Sequence, residues 1–178
     1  MIVSTKHHFV FVGINKTGTT SVEAMLSPYR SRIFQKYLRI RHRRKNDDRP
    51  AFKHLPANMA RSLIGASRWD RYFTFTFVRN PWARVLSEYS RHRHDYGSNC
   101  TLKDGFTRWV FDGGNWLARE NTMGSFVKDE NGNVIIDFVG KLESLDSDLK
   151  EICSRIGVGS PEIRYLNQSK KRMSYQEI

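Results

Sequence analysis

Residues 9 to 26 read FVFVGINKTGTTSVEAML, an apolar run that passes through a glycine turn into a helical pattern. Phe9, Val10, Phe11 and Val12 are a short continuous run of β-formers, the pattern of a strand buried on both faces in a parallel sheet. Gly13 and Gly18 bracket four residues, after which Val22, Met25 and Leu26 recur at helical spacing. Glycine lets backbone N–H groups approach a ligand closely, and a helix start leaves unpaired N–H donors with a partial positive charge. The turn is therefore expected to cradle a phosphate or a sulfate.

The spacing from Gly13 to Gly18 fits the first part of the pattern G-x-x-x-x-G-K-[ST], but the next residue is Thr19 where that pattern has lysine. The lysine of this loop, Lys16, stands before the second glycine. A nucleoside triphosphatase uses the later lysine on the β/γ-phosphates and the following hydroxyl on magnesium. The loop reads as a relative that holds a different donor.

The chain has 178 residues, enough for a single domain that buries roughly two-thirds of its unfolded surface. Its 39% hydrophobic and 27% charged content excludes wholesale disorder, while a net charge of +12 points to a polyanionic partner: a nucleotide, an acidic glycan, nucleic acid or an anionic membrane surface. Cys100 and Cys153 lack metal-ligand spacing, so a reducing compartment and no structural zinc are expected, with Cys153 a core thiol. The apolar run near the start is too short to span a bilayer and leaves no room for a signal peptide. The expected location is cytoplasmic.

Ten Lys or Arg fall between Arg30 and Lys53. YRSRIFQKYLRIRHRRKNDDRP mixes them with aliphatic and aromatic residues, as in a basic amphipathic helix running into a loop near Asn46 to Pro50. That helix is either a solvated face or a platform for an acidic acceptor. Pro56 opens a helix that Gly65 ends. YFTFTFV, residues 72 to 78, repeats the buried-strand pattern; Arg79, Asn80 and Pro81 turn the chain, and Trp82, Val85, Leu86 and Tyr89 mark one face of the next helix. Two strand-loop-helix units in an open parallel sheet place both loops at the carboxyl ends of their strands, where ligands bind. TLKDGFTRWVF predicts a helix, KDENGNVIIDFVG a hairpin with an Asn131-Gly132 turn feeding a strand, and Leu145, Leu149, Ile152 and Ile156 a helix capped by Gly157. Trp82, Trp109 and Trp116 read as core aromatics, and Arg84 as a second cation for the site or a residue facing water.

INKTGTTS at 14 to 21 and TFVRNPWARVLSEY at 76 to 89 resemble the two donor-binding signatures of sulfotransferases that use 3′-phosphoadenosine 5′-phosphosulfate (PAPS), in the carbohydrate-type, family 2 branch of bacteria and Golgi membranes. FKHLPANMARSLIGASRWDRYFTF and DFVGKLESL extend the likeness from residue 8 to about residue 170. It implies an α/β, P-loop NTPase-like three-layer fold with a central parallel sheet flanked by helices, as one domain over residues 1–178 that ends short of the closing helix of its relatives. It implies an enzyme that transfers a sulfuryl group from PAPS, without a metal, to a hydroxyl or amine, the acceptor being a carbohydrate, acidic if the basic segment serves it. Lys16, Thr17, Gly18, Thr19, Thr20 and Ser21 would hold the 5′-phosphosulfate, and Arg79 and Ser87 the 3′-phosphate. Lys16 would neutralise charge on the bridging oxygen, and His54, in a KHLPA context, is the candidate general base with Glu88 in reserve. Asn15 replaces a frequent proline, and Lys141-Leu142 stand where relatives often have Arg-Phe.

Two other readings remain open from the residues. A P-loop kinase-like enzyme with an altered loop would need magnesium and ATP or GTP. A nucleic-acid-binding module built on residues 30–53 would bind oligonucleotides with a steep salt dependence, but no recognised motif supports it and nucleic acid is not expected.

Overall fold

A computed structural model of the chain describes residues 1–43, 51–97, 101–114, 117 and 121–159. The loop expected near Asn46 to Pro50, Cys100 and Trp116 lie outside these residues. One domain is expected from sequence, and the chain divides into two compact units: Met1–Val78 continued from Met123, and a second running from Arg79 to Thr122.

The first unit is built on a four-stranded sheet of β1 (Ile2–Ser4), β2 (Phe9–Val12), β3 (Phe73–Val78) and β4 (Phe138–Lys141), in that spatial order. β2, β3 and β4 are parallel, with Phe9 opposite Phe73 and Phe75 opposite Phe138. β1 departs from the wholly parallel expectation: it pairs antiparallel with β2, Ile2 facing Phe11 and Ser4 facing Phe9. Residues 5–8 make a tight return, which antiparallel pairing permits and parallel pairing does not.

Alternation along β2 divides the core. Phe9 and Phe11 join Phe75, Phe77, Val22, Met25, Leu26, Leu145, Leu149, Ile152 and Cys153 on one face. Val10 and Val12 join Leu38, Leu55, Ala60, Leu63, Phe126 and Ile136 on the other. The first face is covered by α1 (Thr19–Leu26) and the helix Leu145–Arg155, and the second by α2 (Arg32–Arg43), α3 (Ala57–Ile64) and the short helix Met123–Val127. Helix, sheet and helix thus make the three layers expected. α3 is bounded as its sequence dictates, Pro56 before it and Gly65 after it at φ 98°, and the single turn α4 (Ala66–Trp69) follows. In place of the full hairpin at Asn131-Gly132 there is a turn with a single bridge, Lys128 to Val134, before β4. Asp137 ties that segment to β3 by accepting from the Thr74 amide and hydroxyl, both at 2.7 Å.

In the second unit, α5 (Pro81–Gly97) packs on α6 (Leu102–Trp109) through Leu86, Tyr89 and Trp109, with Val85 and Phe106 alongside. The Tyr89 ring stands 5.4 Å from Phe106, edge to face, and 5.5 Å from Trp109. The core expectation holds for Trp109, which is 3% exposed, and fails for Trp82, which is 70% exposed. Trp82 lies in the first turn of α5, short of the residues that α6 covers.

The chain is closely packed at Gly13, where β2 ends. A Cβ there would stand 2.6 Å from Thr19 Cγ2 and 2.9 Å from the Lys53 carbonyl oxygen. One obstacle is backbone and the other is a buried β-branched side chain, so neither yields easily. Gly13→Ala is expected to cost about 1–3 kcal/mol, read as a lower denaturant midpoint at unchanged m-value. An unaltered midpoint would show that the strand end has room to move.

Candidate active site

β2 delivers the chain into the loop Gly13–Gly18 at its carboxyl end, and the loop hands it to α1. Two left-handed residues shape it, Lys16 at φ 65° and Gly18 at φ 77°. A left-handed lysine is uncommon, and such outliers persist where surrounding contacts fix them. A Cβ at Gly18 would also stand 2.6 Å from Leu142 Cδ1, so that side chain would have to shift to admit it. The buried hydroxyls of Thr17 and Thr19 both donate to the Ile14 carbonyl, at 3.1 and 2.5 Å, and so pull the loop closed from within. The first helical donors are the Ser21 and Val22 amides, both onto the Gly18 carbonyl, which leaves the amides of Thr19 and Thr20 ahead of the first helical bond. Lys16 is half-buried and Thr20 exposed. The result is a cradle with a cation and a helix start, suited to an anion.

The turn Phe52–His54 packs against this loop. His54 Nδ1 lies 2.9 Å from the Gly13 carbonyl oxygen. A carbonyl only accepts, so Nδ1 carries the proton and, in the neutral ring, Nε2 keeps its lone pair. Burial lowers the His54 pKa below its ordinary 6.5, against the opposing pull of the Gly13 hydrogen bond. The imidazole is thereby held in the neutral form with a basic nitrogen, next to a loop suited to an anion.

Lys53, which the sequence reading did not single out, completes this side. Its ammonium donates to Thr20 Oγ1 at 3.1 Å and stands 3.4 Å from Glu23 Oε2, with the side chain 40% exposed. A second cation therefore sits on the first turn of α1. Lys16, Thr17, Gly18, Thr19, Thr20, Ser21 and His54 all belong to this one unit, as does Lys53. The signal available for Lys53 was its place beside the candidate histidine in KHLPA.

In the second unit, Arg79 directly follows the carboxyl end of β3, which runs parallel to β2. Asn80 caps α5: its Oδ1 accepts from the Ala83 amide at 3.1 Å and its carbonyl from the Arg84 amide at 2.9 Å, with Pro81 in the first helical position. Asn80, Ala83 and Ser87, at i, i+3 and i+7, share a side of the helix. Ser87 and Arg79 are both half-buried. Glu88 is buried, within 3.8 Å of Arg91 and 3.7 Å of His92. Arg84 corrects both expectations for it. It is 3% exposed, and its guanidinium donates to the carbonyls of Leu117 (3.2 Å) and Asn121 (2.8 Å), so it holds the unit together. Burial lowers its pKa to about 10 against the opposing Glu88 carboxylate, which leaves it charged at neutral pH.

Among the described residues no group of three or more His, Cys, Asp or Glu is placed to hold a metal ion. Nor is any helix there long and apolar enough to cross a membrane.

A family model described as the Sulfotransferase family matches residues 1–177. A protein of Archaeoglobus fulgidus described as uncharacterized is 32% identical over 106 residues, covering 58% of this chain and 83% of that protein. Carbohydrate sulfotransferase 14 of Danio rerio is 24% identical over 185 residues, covering 88% of this chain and 48% of that protein, so the chain spans about half the length of that relative. No solved structure matches.

Proposed function

We propose that this chain, which belongs to the sulfotransferase family, transfers a sulfuryl group from PAPS to a carbohydrate hydroxyl, with His54 as general base. The observation that carries this is the hydrogen bond from His54 Nδ1 to Gly13, because it ties a neutral, basic imidazole to the anion loop itself. When bound, the donor supplies the sulfuryl group and an adenosine bisphosphate leaving group. Lys16, Lys53, the Thr20 hydroxyl and the amides ahead of the first helical bond fit its 5′-phosphosulfate. Thr17 and Thr19 act through backbone, their hydroxyl protons being directed to Ile14. Ser21 closes the loop's share of the site. Arg79 and Ser87 take the 3′-phosphate, at a helix start that favours an anion.

The acceptor O–H gives its proton to His54 Nε2 as its oxygen bonds to sulfur, while the bond from sulfur to the phosphate oxygen breaks. Lys16 neutralises the charge that gathers on that leaving oxygen, a fixed-cation stabilisation that needs no magnesium. A carbohydrate acceptor is supported by the family likeness and by the name of the zebrafish relative. A net charge of +12 favours an acidic glycan over a neutral one.

Donor binding is tested by thermal unfolding with adenosine 3′,5′-bisphosphate in the absence of magnesium. At a concentration about a hundredfold above Kd, stabilisation of about 2.7 kcal/mol is expected, and Arg79→Ala is expected to remove most of it. Stabilisation by Mg·ATP with none by the bisphosphate would mark a kinase-like enzyme instead.

A further inference from the structure

Helix α2 carries a face that the proposed transfer leaves unused. Gln35, Leu38 and His42 are its buried side. At about 100° per residue, Ile33, Tyr37 and Ile40 fall on the opposite side, where they are 89%, 54% and 45% exposed. Arg32, Lys36, Arg39 and Arg43 recur at i, i+4, i+7 and i+11 down one flank of this ridge, and Arg41 lies on the other. The helix contains no carboxylate. Beside the cationic flank opens a cavity of about 180 Å³ lined by Arg30, Arg32, Gln35, Lys36 and Arg39.

We propose that α2 rests on an anionic membrane surface, Ile33, Tyr37 and Ile40 entering the boundary between headgroups and acyl chains while the flanking cations meet lipid phosphates and carboxylates. An interfacial helix has this pattern: a polar face rich in Lys and Arg, and apolar side chains that dip below the headgroups. A soluble acidic polysaccharide would match the cations but leave two isoleucines in water. A second copy of the chain would cover the isoleucines but bring one carboxylate-free cationic helix against another, on a molecule of net charge +12. An acidic lipid surface satisfies the apolar ridge and the charge together.

The test is co-sedimentation of the full chain with phosphatidylcholine vesicles, pure or carrying about one-third phosphatidylserine. Wild type is expected to bind the acidic vesicles and not the neutral ones. Lys36→Gln should lower the partition coefficient roughly fivefold, the effect of one surface cation. Ile33→Ser/Ile40→Ser, in exposed positions that the fold does not need, should lower it by more than about tenfold, with an unchanged circular dichroism spectrum. Three results would overturn the proposal: no binding of wild type to acidic vesicles, full binding by the double isoleucine variant, or a wild-type dimer that this variant dissolves.

Discussion

Lys16→Met is expected to lower kcat/KM for sulfuryl transfer by about 10²–10³-fold, the usual effect of removing one preorganised charge from an oxyanion. Methionine keeps an unbranched stem of similar length, so the left-handed backbone at φ 65° is no more strained than with lysine. The loop is closed from inside by Thr17 and Thr19 on the Ile14 carbonyl, contacts that do not involve the ammonium. That internal closure should therefore be retained while activity is lost. The fall should lie mainly in kcat, because the charge Lys16 neutralises grows as the bond to the leaving oxygen breaks. Single-turnover rates with labelled donor give the check; an unchanged rate would assign that role to Lys53, the other cation on the first turn of α1.

His54→Asn should be at least as severe, about 10²–10⁴-fold in kcat. Asparagine places an amide N–H near the position of Nδ1 and can still donate to Gly13, so the variant deletes Nε2 with little else. Burial holds the His54 pKa below 6.5, so wild-type activity should be level through neutral pH and fall only on the acid side of that value. Stability has the same sign. The unfolded chain takes up the proton first as pH drops, so this histidine's contribution is complete above 6.5 and is lost as pH falls from there toward its folded pKa. His54→Asn should flatten that acid limb in both activity and unfolding free energy. If the limb persists in the variant, His54 is not the group that titrates there.

Much of this was legible in the residues because local and long-range preferences agree. FVFV is buried on both faces, and its even and odd positions feed two separate cores. Pro56 and Gly65 bound α3, and Leu145, Leu149 and Ile152 line the buried side of the last described helix. β1 was missed because three residues, IVS, are too few to display an alternation. Trp82 misled because helical spacing assigns a side of a helix without saying how far along it the partner reaches. Lys53 meets Thr20 across 33 positions and Arg84 meets Asn121 across 37, pairings that only the folded chain discloses. His54 was named from its context, but its tautomer depends on a carbonyl 41 residues away.

Leu142, just past the end of β4, fills the space beneath Gly18. The octapeptide INKTGTTS is therefore not a portable module. Moved into a foreign scaffold it would arrive without its floor, and an engineer would have to bring an aliphatic prop from the far end of the chain along with it.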